Sequence, residues 1–215
     1  MIRFHGYFRS SSAYRCRIAF NLKGIGYDFT SVHLRRGGGE QKTPEYRALN
    51  PQALVPTLEE GEFTLTQSLA IIEWLDETQP GPKLLPADAN LRAEVRAFAQ
   101  VIACDVHPLQ NLRVLDYLKG TFGADQAACD AWCGRWITDG LAACEALLAK
   151  RPATTYCFGE MPTLADICLI PQVFSASRFG VSLEAMPRVR AVAAACEALP
   201  AFAAAAPKNQ PDWEA

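Results

Sequence analysis

The sequence holds no apolar run near the ~18–20 residues that a membrane-spanning helix needs, so no span is expected. Its start, MIRFHGYF, does not pair a charged beginning with a long apolar stretch and a small-residue cleavage site, so no secretory signal is expected either. Neither sign of charge dominates: 21 Lys and Arg face 23 Asp and Glu, for a formal net charge of −2. A general nucleic-acid or membrane-surface binder needs clustered excess positive charge to neutralise phosphates, and both classes are disfavoured; a local basic pocket stays open. Histidine is scarce, at three, and none of the eight cysteines stands in Cys-x-x-Cys, so no metal site is expected. Cys16, Cys104, Cys129, Cys133, Cys144, Cys157, Cys168 and Cys196 mostly sit inside apolar or helical patterns. They read as free core residues in a reducing compartment, the cytoplasm. Internal repeats are missing, and so is Gly-x-Ser-x-Gly.

What is present is a globular composition, half apolar and one fifth charged, over 215 residues. That length supports one domain or two small ones. Residues 2–5 suggest a strand. The spacing of Tyr14, Ile18, Ala19 and Leu22 predicts a helix over Ser11 to Lys23, stopped by Gly24. Residues 27–34 read as a second strand, and the three glycines between Arg35 and Gln41 as a mobile loop. Thr43-Pro44-Glu45 looks like an N-cap with proline at the first helical position. Residues 55–59 and 62–66 flank Glu60-Gly61 as a hairpin. Ser68 is placed to cap a helix through Glu77, ended by Pro80.

The order strand–helix–strand–helix–strand–strand–helix implies a right-handed parallel β-α-β unit followed by an antiparallel hairpin. Residues 81–89 read as a proline-rich linker. After them nearly every signal is helical: one long pattern from Asn90 to Leu118, kinked at His107-Pro108; another from Asp125 to Lys150; a Thr163-Leu164-Ala165-Asp166 capping box opening a helix to about Ser177; and a last one from Met186 to Leu199. The tail PKNQPDWEA reads as loosely held. The expected layout is a small α/β domain over 1–80 and an all-α domain over 90–215.

The run Tyr7-Phe8-Arg9-Ser10-Ser11-Ser12-Ala13-Tyr14-Arg15 puts three hydroxyls between the first strand and the first helix. A helix start has unpaired N–H groups and a positive dipole end, and can hold an anion. Simple capping needs only one serine. A serine nucleophile needs a base in reach, and none is evident. The third reading is that the hydroxyls stabilise a thiolate brought by a cofactor, because donors at a helix start lower a thiol's pKa below its usual ~8.5. Two further places suit a peptide-like thiol. Val55-Pro56 stands at the mouth of a strand; a cis bond there would turn the Val55 backbone outward, against an ordinary edge proline as the alternative. Gln67-Ser68 opens the third helix, a second exposed helix start suited to a carboxylate.

On these residues the chain resembles the zeta class of the glutathione transferase superfamily. The matching runs are FRSSSAYRCRIAFNLKGI, ALNPQALVPTLEEG, QSLAIIEWLDE, HPLQNLRVL, PTLADICLIPQVFSASRF and the terminal NQPD, and they cover nearly the whole chain in family order. The resemblance implies a fold of α/β plus all-α type: an N-terminal thioredoxin-like domain binding glutathione, then a C-terminal all-helical domain for substrate. It implies glutathione as cofactor, a small dicarboxylate as substrate, a homodimer, and cis–trans isomerisation of maleylacetoacetate or maleylpyruvate. Addition of the thiolate would make the double bond single, allow rotation, and place charge on an enolate before the thiolate is expelled.

The resemblance also assigns roles. The family's Ser-Ser-Cys reads Ser10-Ser11-Ser12 here, with Ser in place of the usual Cys; Ser11 is favoured to face the sulfur with Ser12 in support, and Ser10 is a third catalytic candidate that reads as readily as a helix cap. Arg9, Arg113 and Arg178 are candidates for holding carboxylates and the enolate, because a guanidinium pairs bidentately with carboxylate. The alternative for each is a solvated surface charge. Cofactor-binding positions are Gln41, Val55, Pro56, Gln67, Ser68, His107, Asn111 and Arg113. His107 and Asn111 are read as sharing a face of the long helix, and Gln41 as reaching the cofactor from its loop or lying as a mobile surface glutamine. Arg113, within HPLQNLRVL, looks more like the maleylpyruvate branch. Two other functions compete: a transferase or dehalogenase conjugating a small electrophile at the same site, and a non-catalytic binding protein on the same fold.

Overall fold

The alternation of IRFHG places Phe4 on a fully buried face, and these residues form strand β1, Ile2–Gly6. In the computed structural model, which describes residues 1–214, β1 belongs to a four-stranded mixed sheet of order β2-β1-β3-β4. Its parallel neighbour is β2, Asp28–Ser31, paired from Arg3↔Asp28 to Gly6↔Ser31. On its other side runs antiparallel β3, Thr57–Glu60, which turns through Gly61 at φ 61° into β4, Phe63–Thr66. The parallel β-α-β unit and the antiparallel hairpin are as the element order implies. Strand β2 is shorter than the 27–34 expected. Beyond it, His33 Nδ1 accepts the N–H groups of Arg35 and Arg36 and curls the chain into a turn.

Helix α1, Ser11–Lys23, connects β1 to β2 and ends at Gly24, whose φ of 67° is the left-handed conformation that favours glycine. Thr43 caps α2, Pro44–Leu49, with Pro44 in its first turn, as the sequence implies. Helix α3, Ser68–Thr78, departs in one respect: Ser68 is its first helical residue, and Gln67 holds the cap position at φ 72° with no side-chain cap. Phe4, Ile18, Phe20, Leu58, Ile71, Ile72 and Leu75 fill the core between sheet and helices.

Two compact units result: Met1–Leu84 together with the chain from Ala198 onward, and Leu85–Glu197. The tail corrects the expectation of a loose end. Helix α9, Pro200–Ala205, packs on α1, and Asn21 Nδ2 donates to Ala201 O at 2.8 Å. Asp212 Oδ2 accepts the Phe8 N–H at 3.0 Å and the Ser31 hydroxyl at 2.9 Å. Because Nδ1 of His33 is an acceptor, its proton lies on Nε2, which donates to Glu214 Oε2 at 3.2 Å.

The second unit is helical. Asp88 caps α4, Ala89–Gln100. The expected kink at His107-Pro108 is instead a break. Pro108 has no N–H to give the ladder and its ring crowds the preceding turn. The chain widens into a π-helical turn, Val101–Val106, tightens into a 3₁₀ turn, His107–Gln110, and leaves the helix at Asn111, where ψ is 144°. Asn111 then caps α5, Leu112–Phe122, accepting the Arg113 N–H at 3.1 Å. His107 and Asn111 therefore do not share a helical face. Helix α6, Gln126–Ala149, crosses the π turn at Gly140, where an added Cβ would lie 2.1 Å from Val106 Cγ2. The capping box opens α7, Leu164–Arg178: Asp166 accepts the Thr163 N–H at 2.7 Å and also the Cys157 N–H at 2.8 Å. Helix α8, Pro187–Glu197, completes the unit. No helix among the described residues is long and apolar enough to cross a membrane.

All eight cysteines are free, and seven are buried; Cys104 is exposed. Burial pushes the Cys133 thiol up to about 11 and Cys144 to about 12, and raises Cys157 and Cys196 as well. A thiol is reactive as the thiolate. A disulfide reagent at neutral pH is therefore expected to titrate one thiol rapidly in the native protein, Cys104, and all eight in urea. Rapid loss of several thiols without denaturant would contradict this burial.

Candidate functional site

The turn from β1 into α1 is held by a buried arginine that the sequence reading did not single out. Arg17 is fully buried, and its three nitrogens donate to Ala205 O at 3.0 Å, Tyr7 O at 3.3 Å and Phe8 O at 3.0 Å. Burial lowers its pKa to about 10, so it remains a cation at neutral pH. With Asp212 taking the Phe8 N–H, the backbone that presents Arg9 and Ser10 is fixed from both sides.

Ser10 is the N-cap of α1, its Oγ accepting the Ala13 N–H at 3.2 Å. The same oxygen lies 3.1 Å from Ser12 Oγ, and Ser12 donates to Val55 O at 3.0 Å. Ser10, Ser12 and Val55 thus form one hydrogen-bonded chain. Ser11 is buried beside it as the first helical residue. The Val55–Pro56 bond is cis. The loop before it is braced by side chains the sequence reading passed over: Tyr46 Oη and Asn50 Nδ2 each donate to Leu54 O at 2.7 Å. Thr57 Oγ1 ties to the same pair, 2.9 Å from Tyr46 Oη and 3.3 Å from Asn50 Nδ2. The run ALNPQALVP carries these residues, but only the loop's closure gives them partners.

At the start of α3, Ser68 is buried and accepts a hydrogen bond from Arg15 Nη1 at 3.3 Å. Gln67 is exposed in its positive-φ conformation, uncommon for a residue with a Cβ, and donates through Nε2 to Gln52 Oε1 at 2.7 Å. Gln41 is buried in the 3₁₀ turn Glu40–Lys42 and donates to Leu34 O at 3.3 Å, so the surface-glutamine alternative is set aside. Its Oε1 is buried with no protein partner, an acceptor open to a donor from a ligand.

The arginines are placed differently. Arg9 is exposed, with its guanidinium 5.0 Å from the centroid of the Phe8 ring. In the helical unit, Arg178 is the exposed last residue of α7, 5.4 Å from the Phe179 ring centroid. Arg113 is exposed in the first turn of α5, and His107 is half-buried where the 3₁₀ turn begins.

Comparison with known proteins accords with this geometry. Residues 9–78 match the glutathione S-transferase N-terminal domain and residues 137–198 the C-terminal domain of the same family. The chain is similar to the maleylpyruvate isomerase of Ralstonia sp., 53% identical over 212 residues that cover 98% of this chain and 99% of that one. It superposes at a TM-score of 0.95 on a holo maleylpyruvate isomerase described as a bacterial zeta-class glutathione S-transferase, with 52% identity, covering 99% of this chain and 100% of that one. A maleylacetoacetate isomerase from Methylobacterium extorquens AM1, solved with malonate and glutathione bound, superposes equally well, at 0.95, with 38% identity and the same coverage, 99% and 100%. On this full-length similarity the chain belongs to the glutathione S-transferase family, in the zeta class that includes the maleylpyruvate and maleylacetoacetate isomerases.

Proposed function

We propose that the protein is a glutathione-dependent cis–trans isomerase of a maleyl keto acid, maleylpyruvate or maleylacetoacetate, acting in the breakdown of aromatic compounds. The observation that carries this reading is the hydrogen-bonded chain from the α1 N-cap through Ser12 to Val55 O. It fixes the first turn of α1, whose amide N–H groups are the donors, against the cis Val55–Pro56 loop, and the two together fit a thiol and backbone amide of an extended peptide. Glutathione, when bound, supplies the thiolate whose reversible addition lets the substrate's double bond rotate.

The chain's own residues do the rest. The α1 amides and the Ser11 hydroxyl favour the anionic sulfur over the thiol, with Ser12, its proton given to Val55 O, in support of the turn. The Val55 backbone aligns the peptide, Gln67 and Ser68 take the γ-glutamyl carboxylate, and Gln41 offers its open acceptor. From the helical unit, His107, Asn111 and Arg113 are the further cofactor contacts. Arg9 and Arg178 hold the substrate carboxylates and stabilise the charge that develops on the keto oxygen. Arg113 favours maleylpyruvate, whose second carboxylate lies nearer the reacting carbons. The cofactor is assigned to the sheet unit and the substrate to the helical unit, so that the expected 90–215 division gives up its end, from Ala198, to the first unit; a homodimer and a cytoplasmic location belong to the same reading, and buried free thiols suit a reducing compartment.

Both maleyl keto acids, assayed side by side by ultraviolet absorbance with and without glutathione, test it. Isomerisation of at least one is expected, with maleylpyruvate the faster, and only with glutathione present. Turnover that is indifferent to glutathione, or absent for both substrates, would overturn the proposal.

A further inference from the structure

Arg15 and Arg17 lie two apart on α1 and are equally hidden, at 2% and 0% exposure, yet they are treated in opposite ways. Arg17 gives all three nitrogens to backbone carbonyls. Arg15 gives one, Nη1, to the hydroxyl of Ser68; Nε and Nη2 are buried with no partner. Among the described residues Arg15 belongs to no ion pair. A buried cation without a counter-charge is costly, and an apolar side chain of similar size is often neutral or stabilising in its place. The same helix shows that this fold can satisfy a buried guanidinium. Something other than stability keeps Arg15 as it is.

Its one hydrogen bond shows what that is. A serine hydroxyl has one proton and accepts through its lone pairs. With the guanidinium donating to Oγ, the Ser68 proton is turned away from Arg15 and offered to an acceptor elsewhere. Ser68 is the first residue of an eleven-residue helix whose cap residue, Gln67, makes no side-chain cap. The amides of that first turn also have no acceptor within the helix. The Ser68 hydroxyl and the first-turn amides of α3 are therefore donors, with a formal positive charge buried behind them.

We propose that Arg15 is a positioning residue that locks the Ser68 hydroxyl as a donor and so makes the α3 N-terminus selective for a carboxylate, at the expense of folding stability. This rests on the reading that the γ-glutamyl end of glutathione binds there.

The test compares wild type with Arg15→Met and Arg15→Lys, measuring urea midpoints and calorimetric binding of two probes: glutathione, and glutathione with its γ-glutamyl α-carboxylate converted to the carboxamide. Wild type is expected to prefer the carboxylate probe by at least about 30-fold, a range in which charge-assisted hydrogen bonds lie. Arg15→Met is expected to unfold at an equal or higher urea midpoint, to bind glutathione about 10–100-fold more weakly, and to lose most of the preference, with kcat at saturating glutathione nearly unchanged. Arg15→Lys, which can still donate to Ser68, is expected to recover part of the preference. A lower midpoint with unchanged preference would make Arg15 a structural residue and overturn the proposal. If Arg15→Met failed to fold, the stability claim would fall, and Ser68→Ala, which leaves Arg15 in place, would decide the rest: preference retained there refutes the role of the hydroxyl. Wild type binding neither probe would instead sink the underlying glutathione reading.

Discussion

With Arg9 and Arg178 both replaced by alanine, turnover of the maleyl keto acid is expected to fall by at least about a thousandfold, while glutathione conjugation to a small neutral electrophile stays within about threefold of wild type. The size follows from the charges. Loss of a single group aimed at developing negative charge commonly costs ~10²–10³ in rate, and a guanidinium–carboxylate pair also fixes orientation. Both guanidiniums are exposed, each held near a ring rather than buried, so their removal should leave the fold intact. Conjugation needs the activated sulfur but no carboxylate clamp. The double variant therefore separates an isomerase from a conjugating transferase or dehalogenase built on the same site. Isomerisation that survives the change would remove the dicarboxylate assignment; loss of both activities would place the arginines at the thiolate instead.

Asp212→Ala is expected to lower stability by about 2–4 kcal/mol, because one carboxylate oxygen serves two donors, the Phe8 N–H at 3.0 Å and the Ser31 hydroxyl at 2.9 Å. Hydrogen bonds to charged acceptors lie at the strong end of the range, and Phe8 is a buried residue whose N–H would be left unpaired. The effect should reach function, since Phe8 leads directly into Arg9 and Ser10. A higher KM for glutathione is expected, together with a lower urea midpoint and an unchanged denaturant slope. Asp212→Asn, which keeps an oxygen in place, should fall between. A variant with wild-type midpoint and wild-type KM would show that the tail only rests on the turn.

Local chemistry made much of the fold legible beforehand. Ser10, Thr43 and the Thr163–Asp166 box announce helix starts because their short side chains reach the first free amides. Gly24 announces a stop because its φ of 67° favours a residue without a Cβ. Proline's missing N–H singled out Val55-Pro56, while capping logic put the α3 start one residue off, naming Ser68 where Gln67 stands. What stayed hidden depends on partners far away in sequence. Arg15 and Arg17 look like the charged face of a helix until Ser68 and Ala205 are brought against them. The break at Pro108 reads as a kink, because only the surrounding helices decide whether a lost N–H bends the ladder or ends it. Gln67 and Ala53 carry positive φ with nothing in their side chains to signal it. The tail looked loose because its proline and polar residues resemble a frayed terminus, yet Asp212 and Glu214 are answered by Phe8, Ser31, His33 and Arg36.

Because the first unit closes with residues from Ala198 onward, its two parts are made far apart in synthesis, with the helical unit between them. A chain emerging from the ribosome carries the sheet and its serine turn long before the segment that seats Arg17 and Phe8 exists. The helical unit, a continuous stretch, has no such wait. Maturation of the serine turn should thus wait for the segment from Ala198 to emerge, and a stalled nascent chain lacking that segment would carry an unfinished sheet unit while its helical unit is already folded.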